Sequence, residues 1–310
     1  MLATRTSHHT NADPRDVASL PIRPRASVKT WVSYILAIYA GLTLIQFLVF
    51  NENWHWDIVG SYLFSQVVME GLLRTIQLTF FITVLGLALG VVTAACRMSS
   101  LRVLRTAALL YIWVMRAMPP LVMLLLVFFF GALAPTISLG IPFGPSLPIA
   151  SANDVITRFS AAVIGLAIYL GAYSGEILRG GILALPSGQF EACKSLGISS
   201  GKAYLHILGP QLVRVTTPSL ANEVITMFKA TSLVTVIGYA ELLTTVQAIY
   251  ARNFQTIPLL AVAVIWYLVL TSIAMFGQSM LERRFSRGYS RRIQEEKAIV
   301  DTNDRVGGLA

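Results

Sequence analysis

The chain has 310 residues, 55% of them hydrophobic and only 13% charged, with a mean hydropathy of +0.67. Soluble domains carry about a quarter charged residues, so this composition excludes an ordinary soluble domain and points to one membrane domain with short tails. The net charge of +9 would suggest nucleic acid in a soluble protein. Here Lys and Arg flank apolar runs, so lipid headgroups and the bias of basic residues to the cytoplasmic side explain them, and nucleic acid is not expected as a partner.

Residues 1–30 are polar, contain three prolines and lack an apolar core. They read as a disordered cytoplasmic tail rather than a secretory signal. A membrane-crossing helix needs about 20 apolar residues. About six runs qualify: Trp31–Phe50, Leu72–Cys96, Ala107–Gly131, Phe159–Ile177, Leu220–Ala240 and Pro258–Met280. All are expected to be helices, because lipid leaves open strand edges unpaired. The fold expected is therefore all-α and polytopic.

Basic and non-basic connections alternate. Arg5, Arg15, Arg23, Arg25 and Lys29 precede the first span, and Asn51 to Glu70 contains neither Lys nor Arg. Arg97, Arg102 and Arg105 follow the second span, and Leu133 to Asp154 again has no basic residue. Lys194 and Lys202 follow the fourth, and Arg283, Arg284, Arg287, Arg291 and Arg292 follow the last. Ala240 to Thr256, with Glu241 and Arg252, reads as a neutral outer loop. This pattern puts both termini in the cytoplasm. The segment PTISLGIPFGPSLP is rich in Pro and Gly and is expected to be an irregular outer connection.

The connection between the fourth and fifth spans holds GISSGKA, which superficially resembles a phosphate loop. The spacing fails: Gly197 and Gly201 enclose three residues, Lys202 is followed by Ala203, and no strand precedes it. The residues favour a helix from Gln189 to Leu196, a left-handed stop at Gly197, a second helix capped by Ser199 or Ser200, and a break at Gly209-Pro210. An ordered helix–turn–helix of about 40 residues between spans is long for a simple link.

Glu191-Ala192, Gly197, Ile207 and Pro210 resemble the EAA loop of ABC importer membrane subunits. Cys193 stands for the motif's third Ala and Gly209 for its Leu, two small replacements that suggest close packing against a partner. Gly171 to Ala192, Pro218 to Gly238, Gly71, Thr75 and Leu78, and Arg116-Ala117-Met118-Pro119-Pro120 are similar to the polar amino acid importer permeases of the histidine/glutamine family. The resemblance covers Glu70 to Arg283. It implies a type I importer permease domain over 70–283, with a coupling loop at 180–217, an extra N-terminal span at 31–50 and tails at 1–30 and 284–310. It also implies that Glu191, Ala192, Gly197, Ile207 and Pro210 contact a separate ATP-binding subunit, present in two copies. A second permease subunit, identical or paralogous, an extracytoplasmic substrate-binding protein and membrane lipid would complete the assembly in the bacterial inner membrane. The chain would have no catalytic site, metal or cofactor of its own. An ion-gradient-driven secondary transporter is the alternative, disfavoured by the lack of an internal repeat.

Several polar residues fall inside spans, where charge is costly. Arg116 reads as satisfied by carbonyls freed at Pro119 and Pro120. Glu176 and Arg179, at i and i+3, are expected to pair near the cytoplasmic mouth. Glu223 and Lys229 are on different helix faces and are not expected to pair. Glu176, Lys229, Thr231 and Ser232 are the candidates to line the translocation path. Gly86, Gly90 and Ala94 form a small-residue stripe for helix packing. Cys96 and Cys193 read as packing residues.

Overall fold

The computed structural model describes residues 27–141 and 144–286. The greater part of both tails, with Arg5, Arg15, Arg23, Arg25, Arg287, Arg291 and Arg292, therefore lies outside the described residues. The chain divides into two units, one ending at Trp54 and the other beginning at His55. In the first, α1 (Val28–Phe50) is a continuous apolar helix. Its length of about 35 Å is sufficient to cross a bilayer. Ser27 caps it by accepting from the Lys29 amide at 3.3 Å.

The second unit begins with α2 (Trp56–Leu63) and α3 (Gln66–Met98). Next come α4 (Arg102–Ala117) and α5 (Pro120–Phe128), which meet at a 106° bend. The sequence suggested one continuous third span. Pro119 and Pro120 supply no N–H to carbonyls of the preceding turn, and a residue before proline avoids helical angles. Met118 is accordingly extended (φ −94°, ψ 134°), and the chain restarts with Pro120 in the first turn of α5.

The outer connection is not irregular. β1 (Thr136–Gly140) and β2 (Ser146–Ser151) form an antiparallel hairpin with Leu139 opposite Leu147 and a register shift between Ile137 and Ser138. Short runs alternating Ser with Ile or Leu satisfy strand patterning, which the Pro and Gly content concealed.

α6 (Arg158–Leu183) starts with a capping box, Thr157 and Ser160 each binding the other's amide. α3 and α6 share the most extensive helix interface. Gly86 rests on Leu170, and Gly90 on Ser174 and Gly175, so the starts of α3 and α6 share one end of the bundle. Gly86, Gly90 and Ala94 are all buried, as the small-residue stripe predicted. Five helices are long and apolar enough to cross a membrane, and the bent α4–α5 pair makes a sixth crossing if counted as one span.

α7 (Ser187–Ser195) follows α6, and then a short helix at Ser200–Ala203 and a π turn at Tyr204–Leu208 lead directly into α8 (Gly209–Ala230). The predicted break at Gly209-Pro210 does not occur. Pro210 falls in the first turn of α8, where its missing N–H removes little, and the wider π turn makes room before it. After Ala230 the chain tightens into a 3₁₀ stretch, Thr231–Ile237, so the predicted fifth span is not one regular helix. Gly238 ends it with φ 69°. α9 (Leu242–Asn253) occupies what the sequence suggested was a plain outer loop, and α10 (Thr256–Ser286) closes the bundle. Leu78, Ile82, Leu124, Leu166, Leu170, Met227 and Val234 form the central core.

Candidate functional site

The segment 187–208 is a small folded unit. Gly197, at φ 66°, ends α7 in a Schellman motif: its amide donates to the Lys194 carbonyl at 3.1 Å, and the Ile198 amide to the Cys193 carbonyl at 3.0 Å. Leu185, Cys193, Ala203 and Leu208 are buried together, with Phe190, Ile198 and Ile207 against them. Gln211 Nε2 donates to Gln189 Oε1 at 2.6 Å and to the Ile207 carbonyl at 2.9 Å, fixing α8 to α7. Glu191, Ala192, Gly197 and Pro210 are all exposed, and Ile207 is half-buried.

Two expectations about this segment change. Cys193 does not face outward to a partner; it packs into the segment's own core. Gly209 does not provide a close outer approach either. A Cβ there would strike the Tyr204 carbonyl oxygen, the acceptor of the Gly209 amide in the π turn, so the missing side chain permits the turn itself.

A polar seam runs along the spans. Glu176 and Arg179 form the ion pair expected from their spacing, with Arg179 Nε at 3.0 and 2.9 Å from the two carboxylate oxygens. It is the only ion pair among the described residues, so Glu223 and Lys229 are indeed not paired. Arg116 is not held by carbonyls of the proline pair, because the Pro119 carbonyl already accepts from Val122 and Met123 at the start of α5. Its guanidinium instead lies over the Tyr173 ring, 5.4 Å from the centroid. Tyr173 stacks on Tyr169 at 4.8 Å, and their hydroxyls are 3.0 Å apart. Arg116 is also within electrostatic reach of Glu176 and Glu223. A cavity of about 530 Å³ is lined by Arg97, Trp113, Arg116 and Glu176.

Sequence reasoning missed Tyr169 and Tyr173. The signal was present: with Glu176 they recur at i, i+4 and i+7 along one stripe of α6. The other path candidates divide. Lys229 is exposed, Ser232 is half-buried and donates to the Lys229 carbonyl at 2.8 Å, and Thr231 is fully buried with its hydroxyl on the Phe228 carbonyl at 2.6 Å.

Glu241, treated from sequence as a loop charge, is fully buried. It caps α9, accepting from the Leu243 amide at 3.0 Å, the Thr244 amide at 2.7 Å and the Thr244 hydroxyl at 3.0 Å. The Tyr267 hydroxyl of α10 donates to it at 2.9 Å. The Leu242 amide donates to Thr75 of α3 at 3.0 Å. One carboxylate thus joins α9 to α10, with α3 tied in beside it. In the adjacent turn, burial holds the Tyr239 hydroxyl above the usual tyrosine pKa, with the Arg74 charge opposing.

Comparison with known proteins gives this geometry a family. The family model for the inner membrane component of binding-protein-dependent transport systems matches residues 86–287. The arginine transport system permease protein ArgU of Corynebacterium glutamicum is 35% identical over 300 residues, covering 96% of this chain and 92% of ArgU. The L-cystine transport system permease protein TcyB of Bacillus subtilis is 33% identical, covering 75% of this chain and 92% of its own length. Among solved structures, a chain of an amino acid ABC transporter crystallised with histidines aligns with a TM-score of 0.59 and 32% identity, over 70% of this chain and 94% of that one. A chain of the inward-facing MetNI methionine ABC transporter shares the fold at a TM-score of 0.51 and 18% identity, over 73% and 97% of the respective chains. The fold is that of ABC type I importer permeases, and the chain belongs to the family of binding-protein-dependent transport system inner membrane components.

Proposed function

We propose that this chain is the permease subunit of an ATP-driven importer for a polar amino acid or amino-acid derivative. The carrying observation is the folded 187–208 segment. It has its own small core, is fixed to α8, and exposes Glu191 and Ala192. Rigid attachment of an exposed helix to a span suits transmission of force from a partner better than it suits a simple link. The partner is a separate ATP-binding subunit, two copies per assembly, contacted through Glu191, Ala192, Gly197, Ile207 and Pro210. ATP hydrolysis belongs to that subunit.

A second permease, identical or paralogous, and an extracytoplasmic substrate-binding protein complete the transporter. The alternation of basic connections supports cytoplasmic termini and a cytoplasmic 187–208 segment. Residues 70–283 form the permease domain and 31–50 an extra span. The path follows the seam of Arg116, Tyr169, Tyr173 and Glu176, with Lys229 and Ser232 beyond it. The mixture of guanidinium, carboxylate and phenol groups suits a zwitterionic or charged substrate. The named relatives, permeases for arginine and cystine, support an amino acid.

The test is copurification followed by transport. The tagged wild-type chain should bring an ATP-binding subunit out of mild detergent, and Glu191→Arg should lose it while its unfolding midpoint stays unchanged. In proteoliposomes, labelled arginine uptake should need ATP. Uptake driven by a proton or sodium gradient without ATP would refute the reading. Lys229→Met should slow uptake without disturbing assembly.

A further inference from the structure

The end of the bundle opposite the 187–208 segment holds a second cavity, about 480 Å³ and open to the surface, between α2, the start of α3, and α9. Val67, Gly71, Ala248 and Ile249 supply apolar walls, and Arg74 and Arg252 line the same space. We propose that this cleft is a phospholipid site, with the headgroup phosphate held by Arg74 and Arg252 and an acyl chain along the apolar walls.

The depth of Arg74 in the bilayer follows from α3 itself. Between Arg74 and Arg97 no residue is charged. At 1.5 Å per residue they are about 35 Å apart along the helix. The hydrocarbon layer is about 30 Å thick. The two guanidiniums therefore bracket that layer, and Arg74 sits at the phosphate level of one leaflet. α6 runs from the same end as Arg74 down to the 187–208 segment, so this is the opposite leaflet.

Both guanidiniums are under-satisfied. Arg74 makes one long hydrogen bond, to the Ala240 carbonyl at 3.5 Å. Arg252 is exposed and makes no side-chain hydrogen bond or ion pair among the described residues. Glu70 also lines the cavity, yet it pairs with neither arginine and accepts instead from Gln66 at 3.0 Å. Two free guanidiniums at phosphate depth, above apolar walls, match an anionic oxygen cluster joined to hydrocarbon. Glu70 adds a carboxylate that suits the ammonium of an aminophospholipid.

The experiment uses the full chain in its purified complex, stripped of lipid in a sugar-based detergent. Phosphatidylglycerol, phosphatidylethanolamine and diacylglycerol are titrated separately, and adducts are read by native mass spectrometry. Both phospholipids should form a first adduct, and diacylglycerol, which lacks the phosphate, should not. Arg252→Gln should weaken that adduct about tenfold, the loss expected for a charged hydrogen bond. Arg252→Lys should keep most of it. Arg252 holds nothing else in place, so its variants keep the wild-type unfolding midpoint; Arg74→Gln is the independent second variant. Equal adducts in wild type, Arg252→Gln and Arg74→Gln would overturn the proposal. So would equal binding of diacylglycerol, or unchanged lipid adducts with weakened affinity for the extracytoplasmic binding protein, which would make the cleft a protein-docking surface.

Discussion

Replacing Glu241 by Ala should be among the most destabilising single changes in this chain. The carboxylate is fully buried and accepts from the Leu243 and Thr244 amides and from the Thr244 and Tyr267 hydroxyls. Loss of a helix N-cap costs about 1 kcal/mol. Leaving the buried Tyr267 hydroxyl without an acceptor adds about 1–3 kcal/mol. The void where the side chain stood adds to this, so a total of about 3–5 kcal/mol is expected. Glu241→Gln keeps one carbonyl oxygen but turns an amide NH₂ toward existing donors, and should cost about 1–3 kcal/mol. Tyr267→Phe removes the donor together with its bond and should cost only about 1 kcal/mol. The sign of the double variant is the sharpest test. With Ala at 241, Tyr267→Phe should be neutral or stabilising, because the hydroxyl no longer has a partner. Denaturant unfolding of the purified complex in lipid nanodiscs measures all four species. Additive costs, or a Glu241→Ala variant within about 0.5 kcal/mol of wild type, would refute the reasoning.

Three further outcomes follow from the packing. Gly90→Val should destabilise by about 1–3 kcal/mol, since a Cβ there lies 2.9 Å from the Ser174 Cβ and 3.1 Å from the Gly175 nitrogen; adding Ser174→Gly should recover part of the loss in the same assay. Gly209→Ala should open the π turn, seen as faster amide hydrogen exchange over 200–212 with unchanged protection of α3 and α6, and should lower ATP-dependent uptake. Arg116→Gln should raise the KM for a charged amino acid while leaving copurification of the ATP-binding subunit intact, because the guanidinium touches the Tyr173 ring rather than the 187–208 segment.

Much of this protein was legible without coordinates. Bilayer thickness imposes a length and an apolar composition on each crossing, so the runs from Trp31 to Phe50 and Pro258 to Met280 announce themselves. The Gly86-Gly90-Ala94 stripe and the Glu176–Arg179 pair depend only on helical periodicity. Gly197 was legible as a stop because few residues other than Gly tolerate a left-handed angle.

Tertiary structure decided the rest. Whether two prolines bend a span by 106° or merely kink it depends on what surrounds the freed carbonyls, and here those of Pro119 begin a new helix. Arg116 lies one turn from the prolines in sequence, yet its partner, Tyr173, is on another helix. Glu241 looks like any polar residue in a loop, and only the approach of Thr75 and Tyr267 from distant segments makes it a buried junction. Cys193 and Gly209 looked like outward-facing small residues until folding turned one into a core and set the other beneath a π turn. Periodicity and bilayer thickness act on neighbours along the chain and can be read from it; partners for buried charges and space for a side chain come from residues tens to hundreds of positions away, and only packing brings them together.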